Sequence, residues 1–437
     1  MRDTRVVVTG LGAVTPCGLD MPSTWAALVA GTSGTGPLTA FDPTRYGLAA
    51  RAAGEVAGFA GPELLGRRRA RRMDRVMQFA VVAAREAATD AGLLPRSAVG
   101  GNGTTAGGGA EAPGTLHGVA PEGAGAFIGS ALGGVTTLID QQLTLEEKGG
   151  RRVSPFTIPM CLVDSVPAMV ALDMQLKGPN LAHVSACASG ANAIGEAFEV
   201  IRRGGADLML AGGSEAPLAP IIVAAFENMG ALSTGDGDPT QASRPFDRRR
   251  DGFVIAEGAA VLVLEGFEHA AARGARVYAQ VVGYGSTADA VHATAPAEGG
   301  EGILRAIDVA MTEAGAKPAD IDYVSAHGTS TPLNDAVETV VLKTLLGRRA
   351  LEVPASSIKS MLGHMLGAGG AVEAAAMAMT VSEGVVPPTI NLHDPDPQCD
   401  LDYVPLAARR VADGVGLALS TSLGFGGHNA ALVFAAI

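Results

Sequence analysis

At 437 residues with 47% hydrophobic content, the chain is long enough for a large buried core, and its 59 glycines against 4% aromatics favour small-residue packing of helices on sheets. A net charge of −12 argues against a general nucleic-acid binder, which needs a basic surface to neutralise phosphates. Four scattered cysteines, Cys17, Cys161, Cys187 and Cys399, are too few for a disulfide framework and point to reduced thiols. With no signal-like leader and no run of 18 or more apolar residues, the expectation is a soluble, cytoplasmic protein without a membrane partner.

In chain order, Arg5–Thr15 (RVVVTGLGAVT) reads as an apolar strand ending in glycines, followed by a helix over Val76–Leu93 and a glycine-rich strand end, AFIGSALGG. Residues 100–125 form a low-complexity stretch that predicts a mobile surface loop. The pattern then starts again. Arg276–Thr287 (RVYAQVVGYGST) is a second such strand, GILRAIDVAMTEAGA a second helix, and DYVSAHGTS a second strand end. Each half closes on a strand, a sharp small-residue turn and an apolar stretch: HVSACASGANAIGEAF in the first, GLALSTSLGFGGHNAALVF in the second. This self-similarity predicts a duplicated α/β unit, with halves at 1–270 and 271–437.

Three clusters carry chemistry. Cys187 sits where a strand turns into a helix, with Ala191, Ile194, Phe198 and Ile201 recurring at helical spacing after it. The unpaired N–H groups at that helix start favour thiolate over thiol, and small neighbours leave room for a substrate carbonyl. His327 follows an apolar strand end and precedes Gly328, Thr329 and Thr331. Lys359 and His364 lie five residues apart, ahead of a glycine- and alanine-rich helix. A thiolate can take an acyl group, and two imidazoles can donate to the oxygen of an enolate-like carbanion. Together they equip a decarboxylating Claisen condensation. No metal-ligand spacing is present, and the glycine runs lack the context of a dinucleotide site, so neither a metal nor a redox cofactor is implied.

With these motifs on the page, the chain resembles the elongating β-ketoacyl-acyl carrier protein synthases of type II fatty-acid and polyketide systems. VTGLGAVTPCG, SACASG, GGSEAP, SRPFDRRRDGFVIAEGA, AHGTSTPLND, KSMLGHMLGAGG, PPTINLHDPDP and SLGFGGHNAALVF match that pattern in order over essentially the whole length. The resemblance implies the duplicated, five-layered α/β/α/β/α thiolase-like fold. It implies Cys187, His327 and His364 as the catalytic set, Lys359 as a supporting lysine, Glu338 as the acid that pairs near it, and Phe425 as the second oxyanion N–H. It puts Thr329 and Thr331 on a phosphopantetheine arm, so that substrates arrive on an acyl carrier protein. Leu132, Phe226 and Leu423 fall on the acyl pocket or its gate. Arg67, Arg68, Arg69, Arg71, Arg72, Arg151 and Arg152 are candidates for docking the acidic carrier.

The pattern departs at two places: Leu423 stands where the family usually has Phe, and Gly230 where elongating synthases commonly carry a basic residue. A thiolase would carry a second Cys in the C-terminal turn, where SLGFGGHN has none. A chain-length partner would lack Cys187. The resemblance also implies a dimer, either of two identical chains or with a Cys-less homologue. Fatty-acid and polyketide elongation both remain open.

Overall fold

The structure, a computed structural model, describes residues 4–99 and 114–437. Most of the low-complexity stretch, 100–113, lies outside the described residues. Its last two residues are not loop, because Ala124 and Gly125 pair with Leu208 and Met209 inside the sheet.

Ten strands make the main sheet: β1 (Val6–Val14), β2 (Ala124–Gly129), β3 (Asn180–His183), β4 (Leu208–Glu215), β5 (Gly258–Gly266), β6 (Ala279–Ala288), β7 (Tyr323–Ser325), β8 (Ala355–Ser356), β9 (Leu417–Gly424) and β10 (His428–Ala435). Six helices cover them: α1 (Arg75–Asp90), α2 (Ser165–Met174), α3 (Ser189–Arg202), α4 (Glu301–Glu313), α5 (Pro332–Leu346) and α6 (Gly369–Glu383).

The strand order is β8-β7-β9-β10-β6-β1-β5-β4-β2-β3. Read inward from each edge, the five strands of either half follow the same order: third, second, fourth, fifth, first. Parallel pairing joins the first three from the edge, and the fifth strand runs antiparallel to its neighbours. Within the sheet the two halves pair where Val6, Val7 and Val8 meet Val281, Gln280 and Ala279. This short seam lets the sheet fold back on itself around α3 and α6.

Five layers result. Helix α1 covers the outer face of β1, β5 and β4, and α4 covers that of β6 and β10. Between the two halves lie α3, against β4 and β2, and α6, against β5 and β9. Helix α6 is buried from Gly369 through Val381, which its sequence GGAVEAAAMAMTV permits: a helix apolar on every side is an interior helix. Its many alanines and glycines let two sheet faces approach it closely. The helix α1 is set by Asp74, whose carboxylate accepts from Val76 N at 3.1 Å as an N-cap.

The duplication shifts one pairing expected from the sequence. The Cys187 segment precedes α3, so its counterpart is the Lys359–Gly370 segment that precedes α6. The β9–β10 hairpin instead corresponds to β4 and β5. Small residues and glycines fill both kinds of turn, so composition alone could not separate them. The consequence is functional: Cys187 and His364 each stand in the segment that leads into a central helix, α3 and α6 respectively.

Candidate active site

Cys187 is buried between β3 and α3. The residue before it, Ala186, has φ +49°, in the left-handed region that costs an L-residue about 1–2 kcal/mol. The strain makes a sharp turn that aims the thiol into a cavity. Ser189 fastens that turn, its Oγ accepting from Ser185 N at 2.9 Å and donating to Ala186 O at 2.6 Å.

His364 Nε2 lies 3.1 Å from Cys187 Sγ. Its backbone is held by the strand-like segment 253–256, His364 N donating to Val254 O at 2.7 Å, and the Phe253 ring packs edge-on against the imidazole at 5.1 Å. His364 Nδ1 is buried without a protein partner, so the ring can accept from a thiol or donate to a thiolate.

His327 follows β7, and its ring stands perpendicular to that of His364 with centroids 5.6 Å apart. Lys359 Nζ donates to His327 O at 2.7 Å and faces His327 Nδ1 at 3.4 Å. An ammonium has no acceptor to offer, so Nδ1 is the unprotonated nitrogen and Nε2–H is the donor left for a substrate. Burial first, and then the Lys359 charge, hold the pKa of both imidazoles well below 6.5. Both rings are therefore neutral at physiological pH.

The acid paired with Lys359 is Glu373, on α6, and not Glu338. Glu338 faces the same region but accepts from His327 N at 2.6 Å, Gly328 N at 2.8 Å and Thr421 Oγ1 at 2.9 Å. These three donors use its carboxylate to fix the backbone under His327. Burial pushes the Glu373 carboxyl up to about 7 against the pull of Lys359. Glu373 is the one acid of the buried run Gly369–Val381, and an acid in so apolar a run must find a partner, though the run does not say which. Replacing it by Leu leaves a buried ammonium uncompensated and is expected to cost about 3–5 kcal/mol of stability. Urea unfolding of Glu373→Leu against wild type measures it, and an unchanged midpoint would refute it.

The thiol itself reverses an expectation. The helix start was expected to favour thiolate, yet burial pushes the Cys187 pKa up to about 11. Lys359 and the N–H groups of Phe425 and Cys187 pull it down, but loss of hydration outweighs them. Those two N–H groups converge on the sulfur, which is where an oxyanion-hole pair would sit.

The cavity holds about 600 Å³, within the range of small-molecule sites. It brings together nearly every pocket residue expected from the sequence: Cys187, His327, His364, Leu132, Phe226, Leu423, Phe425, Thr329 and Thr331 all line it. Thr329 and Thr331 are 3.0 Å apart through their hydroxyls, and Thr331 also caps α5 by accepting from Asn334 N at 3.3 Å. Sequence reasoning missed Glu215. Buried at the end of β4, it accepts from Ala131 N at 2.7 Å, Leu132 N at 3.1 Å and Gly367 N at 3.0 Å, so it joins the cavity wall to the His364 segment.

The arginines divide. Arg67, Arg68, Arg71 and Arg72 surround a shallow depression with Phe156, over which Arg72 lies at 4.7 Å. Arg69 is committed elsewhere: it pairs with buried Asp173, which also takes a two-point contact from Arg85 at 2.8 Å. The expectation of Arg69 as a docking charge is corrected accordingly. Arg151 and Arg152 are exposed in a short turn.

Residues 3–270 match the family model for the N-terminal domain of β-ketoacyl synthases, and residues 278–393 match that for the C-terminal domain. The chain belongs to the β-ketoacyl synthase family. It is an acyltransferase of the condensing kind. Among its relatives, a Synechocystis 3-oxoacyl-[acyl-carrier-protein] synthase 2 is 46% identical over 98% of this chain and 97% of the relative. The Staphylococcus aureus protein of that name is 46% identical over 99% and 98%. Solved β-ketoacyl synthases share the fold. One from Burkholderia phymatum has a TM-score of 0.87 at 36% identity, covering 99% of this chain and 100% of the other. A type II polyketide ketosynthase in complex with its acyl-carrier protein and bound to the hexaketide superposes at 0.86, with 34% identity and full coverage of both chains. The ishigamide ketosynthase/chain length factor gives 0.87 at 32% identity, again with full coverage of both. Among the described residues, no helix of this β-ketoacyl synthase is long and apolar enough to cross a membrane.

Proposed function

We propose that the enzyme elongates an acyl chain by condensing it with malonyl-acyl carrier protein, with Cys187 as acyl acceptor and His327 and His364 serving the carbanion. The 3.1 Å approach of His364 Nε2 to Cys187 Sγ, beside a second neutral imidazole, is the observation that carries it.

In the first half-reaction Cys187 Sγ attacks the carbonyl carbon of an acyl thioester. The oxyanion lies against the N–H groups of Cys187 and Phe425, and the thiol proton ends on the departing phosphopantetheine thiol while His364 keeps its Nε2–H. In the second, the carbon–carboxylate bond of the malonyl group breaks and carbon dioxide leaves. The electron pair stays as an enolate whose oxygen accepts from the Nε2–H groups of His327 and His364. The carbanion carbon then attacks the acyl carbon, the bond to Cys187 breaks, and the sulfur regains one proton from solvent. Two neutral donors suit this step, because a charged imidazolium would hold the carboxylate instead of releasing it.

On this reading residues 1–270 and 271–437 are two halves of one catalytic unit, since Cys187 and His364 face each other across them. Two relatives named for acyl-carrier-protein substrates, and a neighbour in complex with such a carrier, support delivery on phosphopantetheine past Thr329 and Thr331. The arginines around Phe156 are the docking surface for its acidic face.

The enzyme works as a dimer. Edge strand β3 has a free side among the described residues, with Leu181 and Val184 exposed beside it and Leu172 exposed on neighbouring α2. Light scattering at assay concentration reads its size, and a fully active monomer would refute the pairing. Incubation with acyl- and malonyl-carrier protein, followed by mass analysis, tests the reaction: a 3-oxoacyl carrier longer by two carbons and one carbon dioxide are expected. Acylation of the enzyme without chain extension would overturn the condensing role.

A further inference from the structure

Tyr284, on β6, belongs to the half that does not hold the nucleophile, and no step described above uses it. Its ring is buried against α3, where Gly195 makes the approach possible: a Cβ there would come within 2.1 Å of the ring. The phenol donates to Asn192 Oδ1 at 2.9 Å. This contact fixes which end of the Asn192 amide points onward, and its Nδ2 donates to Ser185 Oγ at 2.6 Å. All three side chains are buried, where a hydrogen bond meets no competition from water.

Ser185 is the last residue before the strained turn. Its N–H is tied to Ser189 Oγ and its carbonyl accepts from Ala188 N at 3.1 Å. The same carbonyl backs onto Gly424, where a Cβ would meet it at 2.5 Å. One residue therefore sets both the turn that presents Cys187 and the seating of the turn that presents the Phe425 N–H. With Ala186 in the left-handed region, the backbone alone does not hold this geometry at its minimum, so contacts around it must.

We infer that the Tyr284 hydroxyl is a positioning group for the nucleophile: acting through Asn192 and Ser185, it keeps the Cys187 sulfur and the two oxyanion N–H groups in register. The line runs from one half of the duplicated fold to the other. The inference rests on the reading of Cys187 as acyl acceptor.

Tyr284→Phe removes one oxygen and keeps the ring that fills the groove beside Gly195. Single-turnover acylation by an acyl-carrier protein is expected to slow about tenfold, with the KM for the carrier and the melting temperature unchanged. Asn192→Ala interrupts the same line, and the double variant is expected to be no slower than the slower single one, because both remove one linkage. An acylation rate for Tyr284→Phe equal to wild type overturns the inference, as does a loss that only follows the folded fraction or that adds in full in the double variant. Cys187→Ala is run beside them. If it still becomes acylated, the underlying assignment of the nucleophile fails. If it does not, while Tyr284→Phe is fully active, only the positioning role fails.

Discussion

Cys187→Ala is expected to lower condensation by about 10⁴-fold or more and to leave the protein without a covalent acyl adduct in intact-mass analysis. No other thiol can take over. Cys17 and Cys399 do not line the cavity. Cys161 also lies outside it. In the wild-type enzyme the raised thiol pKa has its own signature. Alkylation of Cys187 by iodoacetamide is expected to be slow at neutral pH and to climb with pH as far as the fold survives, without a plateau near pH 7. The sign follows from burial: the neutral thiol is favoured until pH nears about 11. An acyl adduct on another residue of Cys187→Ala would sink the assignment.

His327→Ala is expected to separate the two half-reactions. The His327 ring faces Lys359 and the ring of His364, and its contacts do not include the sulfur. Self-acylation of Cys187 is therefore expected to proceed within a few-fold of wild type, whereas condensation falls by about 10²–10³-fold, the effect of removing one preorganised oxyanion donor. In the wild-type enzyme the imidazoles are expected to give no step in condensation near pH 6.5, because burial and the Lys359 charge hold both well below that value, and Glu373, pushed up to about 7, is the group left to titrate there. Single-turnover acylation and malonyl condensation, each followed across pH, check both points. A variant that condenses at the wild-type rate, or a step near pH 6.5 that survives in Glu373→Gln, would contradict the neutral two-imidazole arrangement.

The duplicated architecture was legible because its signals are local. Strands ending in glycines and helices of period 3.6 follow one another twice in the same order, and the observed limits Val6–Val14, Arg75–Asp90 and Glu301–Glu313 fall close to those read from the pattern. The cavity was legible too, since a nucleophile, a histidine and a glycine-flanked turn each stand at a strand end, and strand ends on one side of a sheet converge. Pairings between distant side chains were not legible. Glu338 and Glu373 both lie on helices of the second half, and nothing along the chain says which one reaches Lys359. That depends on α6 lying in the middle layer and α5 on the outside.

Two further points were decided in space alone. Arg67, Arg68 and Arg69 are identical in sequence terms, yet the helical turn sends Arg69 inward to Asp173 and leaves the others around Phe156. The Cys187 thiol was set by a balance of opposing effects. The sequence shows the helix start that lowers its pKa, but the burial that raises it comes from residues hundreds of positions away. By itself the sequence determined the fold and the family, because each is written in short-range pattern. Only the tertiary structure decided which acid meets which base and which charges are free. It also decided the protonation state of the Cys187 thiol, because desolvation and ion pairing depend on what the folded chain packs around a group.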